Sequence, residues 1–410
     1  MKKSDLKNFE FILPQHEREK INLGLSRIKK VLQELGNPCR NIPAIQVIGT
    51  NGKGSITAFL ESILFEANKK FGVTTSPHLF DITERIRINK KNISKADFEK
   101  IYRLIDNNSF NFELTPFEKI ICCALNFFDD KQVELIILEA GLGGRLDATT
   151  AHKLRPIIAI GNIGLDHKEF LGSTIEKIAN EKLAVIKKNS IVISCNQNSR
   201  VGNLITKKIK EVGAEIIWKD SISPNYELGL KGIFQRQNAS VAVGAIEALN
   251  KFGFKIQEDC IYRGLKKTTW PGRLEIINYL NKKILVDCAH NYPAAKALSN
   301  ERSNWSNEEK GIYWIVGVQK QKDIYAILKT LIKKNDHLLL VPVPDQPSWQ
   351  LKDLSEIRGI DFLKIIEFEK FEFAIQYLFD LKKWPISNPV LTGSIFLVAE
   401  FIKFANKNKY

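Results

Sequence analysis

The hydrophobic residues of the chain form short, nearly continuous runs that alternate with longer stretches of helical periodicity. Ala44–Ile48 is an apolar run of strand length, and between Ile56 and Ala67 the apolar side chains recur at helical spacing. Further runs of strand length are Val133–Leu138, Pro156–Ile160, Ser190–Ser194 and Ala214–Trp218. Because these runs are continuous rather than alternating, we expect strands that are covered on both faces, as in a parallel sheet built from strand–helix–strand units.

The segment GLKKTTWPGRLE, from Gly264 to Glu275, has the glycine, proline and charged residues of a connection. After it, runs of strand length resume at Lys283–Val286, Gly311–Val316, His337–Pro342 and Pro389–Leu391. We therefore predict an α/β fold of two domains. Residues 1–269 would hold a P-loop-type, mostly parallel sheet, and residues 270–410 a smaller Rossmann-like α/β domain, which is consistent with a length of 410 residues.

The composition is that of an ordinary globular protein, with 44% hydrophobic and 26% charged residues. No run approaches the roughly 20 apolar residues that span a bilayer, and the first residues, MKKSDLKNFEFILP, lack the apolar stretch of a signal peptide. The six cysteines show no C-x-x-C spacing and most lie in apolar runs, so we expect small core residues in a reducing compartment. These features predict a soluble, cytoplasmic protein without a membrane partner.

The chain is basic, with a formal net charge of +15 and a pI near 9.3. Such an excess is compatible with nucleic acid, an acidic membrane surface or anionic small substrates as partners. The lysines are scattered over the whole chain rather than grouped in blocks, which is equally typical of solvated faces. The charge alone therefore leaves these interpretations open.

The stretch IQVIGTNGKGSITAF, residues 45–59, combines an apolar strand, a glycine loop, a hydroxyl residue and a helix. Its spacing departs from the usual P-loop, G-x-x-x-x-G-K-[ST], because the loop is shorter and Gly54 separates Lys53 from Ser55. Glycines let backbone N–H groups approach a phosphate, the helix N-terminus adds a favourable dipole, and Lys53 would add a positive charge. The alternative is a tight turn between strand and helix with an exposed lysine.

Three other predicted strands run into residues that bind phosphate or metal in many proteins. The strand ends are followed or terminated by Glu139, by Asp166 and His167, and by Asp287, His290 and Asn291. Ligands of open α/β sheets bind beyond the carboxyl ends of the strands, and a carboxylate beside a phosphate loop is suited to Mg²⁺. Each residue also has a simpler interpretation, as a glutamate that ends a strand or a structural histidine. Together they suggest a cleft between two domains that closes by domain movement.

These segments resemble the folylpolyglutamate synthase/dihydrofolate synthase family of the Mur ligase superfamily. The matching motifs are NLGLSRIKKVLQELGNP at 22–38, IGTNGKGS at 48–55, TTSPHL at 74–79, ERIRIN at 84–89, LEAGLGGRLDAT at 138–149, LDHKEFLG at 165–172, FQRQNASVA at 234–242, WPGRLE at 270–275 and DCAHNYPA at 287–294. The resemblance covers nearly the whole chain and explains the short loop, because GTNGKGS is the form that the phosphate loop takes in this superfamily.

The resemblance implies a role for particular residues of this chain. The implied ATP-binding residues are Asn51, Gly52, Lys53, Gly54, Ser55, Asn238, Arg273 and Asp287. The implied magnesium ligands are Ser76, Glu139 and His167, and the implied pterin-contacting residues are Thr115, Leu146, Asp147 and Ala148. Lys182 matches the lysine that reacts with CO₂ to form a carbamate, which would hold a second Mg²⁺. Lys53, Lys182 and His290 are the implied catalytic residues, and for His290 a helix-capping or structural role is an equal alternative.

Three motifs depart from the pattern of the family. Glu181 to Val185 read EKLAV where EKAGI is usual, DATT places Thr150 where an asparagine is usual, and DCAHNY contains the atypical Cys288 and Tyr292. The packing around Lys182 is therefore expected to differ. None of these changes removes a group that the chemistry needs.

The reaction implied by the resemblance is amide formation in two steps. ATP would phosphorylate a carboxylate, and the amino group of L-glutamate would then displace phosphate. We expect ATP, L-glutamate and dihydropteroate or reduced folates as partners, a monomer, and no nucleic acid. Both glutamate-adding activities are predicted, and the alternatives are a monofunctional member, another Mur-type amide ligase and a non-catalytic nucleotide-binding protein. Peptidoglycan-building Mur ligases carry a substantial domain before the phosphate loop, and the position of Lys53 leads us to expect none here.

Overall fold

The computed structural model describes residues 21–107, 112–354 and 365–407, and it divides into two compact units. The first unit contains the described residues up to Ile163, together with Lys168–Glu227 and Asn238–Lys267. The second unit contains Gly164–His167, Leu228–Gln237 and the described residues from Thr268 onward. The domain boundary near residue 270 stays a prediction from the sequence.

The first unit is an eight-stranded sheet with helices. Its strands are β1 (Ala44–Ile48), β2 (Phe71–Thr74), β3 (Ile86–Ile88), β4 (Lys91–Asn92), β5 (Leu135–Glu139), β6 (Ile157–Ile160), β7 (Ile191–Cys195) and β8 (Glu215–Lys219). Its helices are α1 (Ser26–Glu34), α2 (Lys53–Glu66), α3 (Lys95–Asn107), α4 (Pro116–Asp130), α5 (Lys168–Leu171), α6 (Ile175–Leu183), α7 (Ser199–Val212), α8 (Ile233–Leu249, from Asn238 onward) and α9 (Glu258–Lys267).

The strand order of this sheet is β4-β3-β2-β5-β1-β6-β7-β8, and the six strands from β2 to β8 in that order are parallel. The central strands β5, β1, β6 and β7 are buried along their whole length, which explains their continuous apolar sequences. The edge strand β8 is partly exposed, so the expectation that it is covered on both faces was wrong. An edge strand has only one neighbouring strand, and solvent reaches its faces more easily.

The second unit has a six-stranded sheet of order β13-β12-β11-β14-β10-β9, in which only the pairing of β9 with β10 is antiparallel among the described residues. Its strands are β9 (Glu275–Tyr279), β10 (Lys282–Val286), β11 (Tyr313–Val316), β12 (His337–Leu340), β13 (Ile365–Glu367) and β14 (Val390–Thr392). Its helices are α10 (Tyr292–Glu301), α11 (Ile324–Leu331), α12 (Leu351–Leu354), α13 (Phe371–Asp380) and α14 (Ile395–Lys407).

The segment interpreted as a connection between the domains begins inside a helix. Gly264 lies in α9, and a Cβ at this position would come within 2.5 Å of the Ile63 Cα in α2. The glycine therefore allows two helix backbones to approach closely, rather than forming a loop. The part of the segment that is irregular lies between Lys267 and Glu275.

All six cysteines are buried thiols that form no disulfide, as expected for small core residues. Among the described residues, no helix combines the length and the apolar character needed to cross a membrane.

Candidate active site

The phosphate loop connects β1, the central strand of the first sheet, to α2. Gly49 and Gly52 have positive φ angles of 149° and 85°, and the N–H groups of Thr50 and Asn51 both donate to the Asn162 carbonyl. The first intrahelical bond of α2 runs from Ile56 N to Gly52 O, so the amides of Lys53, Gly54 and Ser55 precede the helical hydrogen bonds. The N-cap residue Gly52 has no side chain that could cap this helix, and the first turn contains no acidic residue. The start of α2 therefore has the charge and geometry of an anion site.

Two lysines donate to the same carbonyl of this loop. Lys53 Nζ lies 3.2 Å from Gly49 O and 3.3 Å from Thr50 O, and Lys182 Nζ lies 2.9 Å from Gly49 O. Lys182 is on α6 and only 5% exposed. The structure thus brings together two predicted catalytic residues that are 129 positions apart in the chain (182 − 53).

Gly52 and Asn238 form a second contact at the loop. A Cβ at Gly52 would overlap with the side-chain amide of Asn238, which is itself 9% exposed. Asn238 was predicted as an ATP-binding residue, and it lies beside the phosphate loop within the first unit. Only glycine satisfies both the positive φ and this close approach at position 52.

Two of the three predicted magnesium ligands belong to neighbouring strand ends. Glu139 is the last residue of β5 and is 4% exposed, while Ser76 follows β2 by two residues. Strands β2 and β5 are paired in parallel, with Thr74 opposite Leu138, so these two residues share one edge of the sheet. The third predicted ligand, His167, belongs to the second unit.

The glycine-rich loop after Glu139 is held in shape by Asp147. Its Oδ1 accepts from the Thr149 N–H and hydroxyl, and its Oδ2 accepts from Leu142 N at 2.8 Å. Burial raises the pKa of this carboxyl, and the hydrogen bonds from Thr149 and Leu142 act in the opposite direction. Ala148 is buried in the core next to it, whereas Leu146 is half-buried. The Asp147 carboxylate thus stabilises the conformation of its own loop.

The same loop is attached to the helix that carries Lys182. Arg145 N donates to Glu181 O, and the Arg145 guanidinium forms an ion pair with the Glu181 carboxylate at 2.9 Å. A Cβ at Gly144 would come within 2.7 Å of the Lys182 carbonyl. These contacts fix α6 against the loop and thereby place Lys182.

Thr150, which stands where the family usually has asparagine, takes part in a buried polar network. Its hydroxyl accepts from Gln46 Nε2 at 2.9 Å and donates to Gly144 O at 2.8 Å. Gln46 also donates to Thr149 and accepts from the buried guanidinium of Arg155. A threonine therefore meets the hydrogen-bonding needs of this position.

Thr115, a predicted substrate-binding residue, caps α4. Its hydroxyl accepts from Glu118 N, and the Glu118 carboxylate accepts from Thr115 N at 2.7 Å, which is a capping box. Arg27 of α1 donates to the same carboxylate. The side chain of Thr115 thus sets where α4 begins.

In the second unit, Asp287 follows β10 and fixes the chain around it. Its Oδ2 accepts from Leu274 N at 3.0 Å, and its Oδ1 accepts from Ala289 N at 2.9 Å. Burial raises the pKa of this carboxyl, while the charge of Arg273 lowers it. The structure therefore places Arg273 and Asp287, two predicted nucleotide-contacting residues, near each other.

His290 contacts acceptors through both ring nitrogens. Nδ1 lies 2.8 Å from the Cys288 carbonyl, which can only accept, and Nε2 lies 3.7 Å from Asp166 Oδ2. The capping role considered for His290 belongs instead to Asn291, whose Oδ1 accepts from Ala294 N at the start of α10. The Asn291 amide donates to the same Asp166 oxygen at 2.9 Å.

Lys322 was not predicted from the sequence, although its ammonium lies 2.5 Å from Asp166 Oδ1. Burial disfavours ionisation of Asp166, but the hydrogen bond from His290 and the charges of Lys322 and His167 hold the pKa of this carboxyl well below its usual range. Lys322 lies in the segment that follows the carboxyl end of β11. Asp166 and His290 were predicted because they follow the carboxyl ends of strands. The same criterion, applied to β11, selects Lys322.

Comparison with known proteins identifies the family. The Mur ligase middle domain family matches residues 47–246, and the family described as dihydrofolate synthetase, C-terminal domain, matches residues 273–404. The dihydrofolate synthetase of Saccharomyces cerevisiae is 31% identical in an alignment 428 residues long, which covers 95% of this chain and 99% of the yeast protein. The chain belongs to the dihydrofolate synthase/folylpolyglutamate synthase family.

Solved structures of this family have the same fold. E. coli FolC in complex with DHPP and ADP superposes with a TM-score of 0.83 at 26% identity, over 99% of this chain and 98% of that chain. A bifunctional folylpolyglutamate synthase/dihydrofolate synthase with Mn, AMPPNP and L-glutamate bound gives a TM-score of 0.82 at 26% identity, over 98% and 97%. The predicted family, α/β fold class and enzyme class, an ATP-dependent ligase, are confirmed.

Proposed function

We propose that this protein joins L-glutamate to dihydropteroate to make dihydrofolate, and to reduced folates to make folylpolyglutamates, with hydrolysis of ATP. The observation that carries the proposal is the phosphate loop of the first unit, where Lys53 and Lys182 meet at the Gly49 carbonyl beside the start of α2. Support for the substrates comes from the relatives, which are named for these two activities and include a complex with DHPP and ADP.

The nucleotide roles follow from the two groups of residues. In the first unit, the amides of Gly52 to Ser55 and the Lys53 ammonium would bind the ATP phosphates, flanked by Asn51 and Asn238. In the second unit, Arg273 would add a positive charge, and Asp287 would contact the nucleotide or hold the backbone that does so. Because both Asp287 oxygens accept from backbone amides, its removal would change the shape of residues 272–290 as well as any contact with ATP.

Residues Ser76, Glu139 and His167 would hold the divalent cation. A hydroxyl and a carboxylate at adjacent strand ends suit Mg²⁺, and a relative has been solved with Mn bound. Bound there, the cation supplies positive charge that offsets the charge of the phosphates during transfer.

Lys182 would carry the carbamate. Its amine is buried and donates to Gly49 O, and a carbamate nitrogen keeps one N–H for the same bond. The added carboxylate would be an oxygen ligand for a second cation. With ¹³CO₂ present, a carbamate carbon signal in the ¹³C NMR spectrum that is absent from Lys182→Met is expected; identical spectra of the two proteins would contradict the modification.

The pterin end of the substrate would lie against Thr115 and the loop of Leu146, Asp147 and Ala148. The side chains of Thr115 and Asp147 bond to backbone groups of their own segments, so they would act by shaping the loop. Leu146 is the one of these four with a half-buried apolar side chain that a flat ring system would contact.

In the first chemical step, a carboxylate oxygen of dihydropteroate bonds to the γ-phosphorus of ATP. The bond from that phosphorus to the β–γ bridging oxygen breaks, and ADP leaves. In the second step, the amino nitrogen of glutamate loses a proton and attacks the acyl carbon, and phosphate leaves with the original carboxylate oxygen. Lys53 and Arg273 would offset the charge on the transferred group.

A monofunctional dihydrofolate synthase is the second candidate. It is favoured by the match of residues 273–404 to the dihydrofolate synthetase C-terminal domain and by the yeast relative of the same name. We keep both activities as the proposal because the relatives with solved structures include a bifunctional enzyme. We further propose that the enzyme acts as a monomer in the cytoplasm, which light scattering after size-exclusion chromatography tests for the oligomeric state.

The experiment measures ADP release from MgATP and L-glutamate, with dihydropteroate or tetrahydrofolate in separate reactions. Turnover with both supports the bifunctional enzyme, and turnover with dihydropteroate alone reduces it to the monofunctional one. Lys53→Ala should lose roughly a hundredfold or more in kcat, since it removes a charge from the developing phosphate. The exposed Lys207 of α7 provides a control, because Lys207→Ala removes the same type of side chain from another helix. No ADP from either substrate, with Lys53→Ala equal to wild type, would overturn the proposal.

A further inference from the structure

The Asp166 carboxylate is the point where four residues of the second unit converge. Oδ1 accepts from Lys322 Nζ at 2.5 Å and from His167 N at 2.9 Å. Oδ2 accepts from Asn291 Nδ2 at 2.9 Å and lies 3.7 Å from Nε2 of both His167 and His290. The carboxylate is 7% exposed, so these contacts are poorly screened by solvent.

These contacts explain why the segment Gly164–His167 groups with the second unit. The segment follows β6 in the chain, yet it groups with the second unit, and three residues around the carboxylate, Lys322, Asn291 and His290, come from other parts of that unit. His167 has a φ of 49°, which side chains rarely adopt, and the bond from its own N–H to Asp166 stabilises this conformation. The geometry of His167 therefore depends on Asp166.

We propose that Asp166 is a positioning residue of the ligase reaction, which holds the Lys322 ammonium and the His290 imidazole at one carboxylate and fixes the backbone of His167. Lys322 is equally buried, at 9% exposure, and its loop is held in turn by the bond from Trp349 Nε1 to Lys322 O at 3.0 Å. The pair is thus rigid on both sides. This inference rests on the proposed function, since it concerns the rate of that reaction.

The proposal predicts a loss of rate rather than of nucleotide affinity. None of the hydrogen bonds of Asp166 described above goes to the phosphate loop, so we expect the KM for ATP to stay within about twofold while kcat falls about tenfold. Asp166→Asn keeps the shape and removes the charge, and Lys322→Met removes the cation. If Asp166 acts through Lys322, the double variant should lose about tenfold as well, not the roughly hundredfold of two independent sites.

A matched control lies two residues away. Lys320 and Asp353 form an ion pair at 2.6 Å, but Lys320 is 45% exposed. Asp353→Asn therefore removes a carboxylate–lysine pair from the same region and should leave kcat unchanged. The Asp353 carboxylate also accepts a hydrogen bond from Gln350 N, so we expect Asp353→Asn to lower the Tm slightly.

The test first requires wild-type ADP release with dihydropteroate and glutamate; failure there would count against the proposed function, not against this inference. Wild-type kcat in Asp166→Asn, or a double variant with multiplied losses, would overturn the inference. If Asp166→Asn does not fold, the two Lys322 variants provide the test. A tenfold loss of kcat in Lys322→Met at unchanged Tm, with kcat restored in Lys322→Arg, supports the inference. Wild-type kcat in Lys322→Met would overturn it.

Discussion

At the scale of single residues, the site contains positions where the backbone conformation and a neighbouring group together restrict which residue type fits. Gly52 has a φ of 85° and faces the Asn238 amide. Lys182 is buried against the loop that begins at Gly49. The identity of each residue is therefore constrained by local geometry before any ligand binds.

Gly52→Ala is expected to abolish ATP binding at concentrations that saturate the wild type, because the added Cβ requires both a strained φ and movement of Asn238. Isothermal titration calorimetry with an ATP analogue measures this effect. Gly202→Ala is the control, since a Cβ at this position in α7 meets no atom within 4 Å and alanine favours a helix by about 1 kcal/mol. An unchanged affinity in Gly52→Ala would contradict our account of the loop.

His152 predicts a pH dependence of stability. Burial lowers its pKa to about 4, while an unfolded histidine has a pKa near 6.5, and its Nε2 donates to Ile42 O at 2.9 Å. Between these values the unfolded chain binds a proton that the folded chain does not, so stability is complete above pH 6.5 and falls by about 3 kcal/mol by pH 4. Urea unfolding of wild type and His152→Gln at both pH values checks this. The variant should lose less stability on acidification, and parallel losses in the two proteins would contradict the prediction.

At the scale of elements, the second unit contains a buried ion pair that holds several segments together. Asp336 accepts from the Arg302 guanidinium at 2.5 and 2.8 Å, and also from Ile312 N, Trp314 Nε1 and Lys333 N. The side chains of the pair are 2% and 0% exposed. One carboxylate thus links the end of α10 to the loop and strand around β11.

Asp336→Asn should lower the stability of the second unit by about 3 kcal/mol, because it leaves the buried Arg302 charge with the Glu308 carboxylate alone as its ion-pair partner. Glu400→Gln in α14 breaks the exposed pair with Lys403 and should leave the unfolding midpoint unchanged. Chemical unfolding of the purified variants gives both values. Equal midpoints for the two variants would show that the buried pair adds no stability.

The elements that sequence reasoning found are those with a single strong signal. The predicted strand Ala44–Ile48 agrees with β1 to the residue, because an apolar run between a proline and a glycine leaves little choice. Strand β2 was missed, since Gly72 weakens its pattern, and the structure shows that the Phe128 ring occupies the space a side chain would need. Gly264 was misinterpreted for the same reason: tertiary packing, which the sequence does not display, decided its environment.

The candidate site also has features that the sequence predicts and features that it does not. The phosphate loop and the residues at strand ends follow from the order of the chain, because parallel strands place their carboxyl ends at one edge. The convergence of Lys53 and Lys182 on one carbonyl, and of Lys322 on Asp166, depends on how distant helices and loops pack. No local pattern carries that information.

At the scale of the whole molecule, the chain is an ATP-dependent ligase of the dihydrofolate synthase/folylpolyglutamate synthase family, and we propose that its reaction passes through an acyl phosphate. The net charge of +15 fits substrates that are all anions, namely ATP, glutamate and the folate carboxylates. The family assignment rests on matches that together extend from residue 47 to residue 404 with one short gap.

The most direct test of this claim follows oxygen. Dihydropteroate with both carboxylate oxygens labelled with ¹⁸O is incubated with the enzyme, MgATP and L-glutamate, and the dihydrofolate and phosphate are analysed by mass spectrometry. We expect each dihydrofolate formed to be matched by one phosphate containing a single ¹⁸O, because that oxygen leaves with phosphate when the amine attacks. Dihydrofolate formed together with unlabelled phosphate, or no dihydrofolate at all, would contradict it.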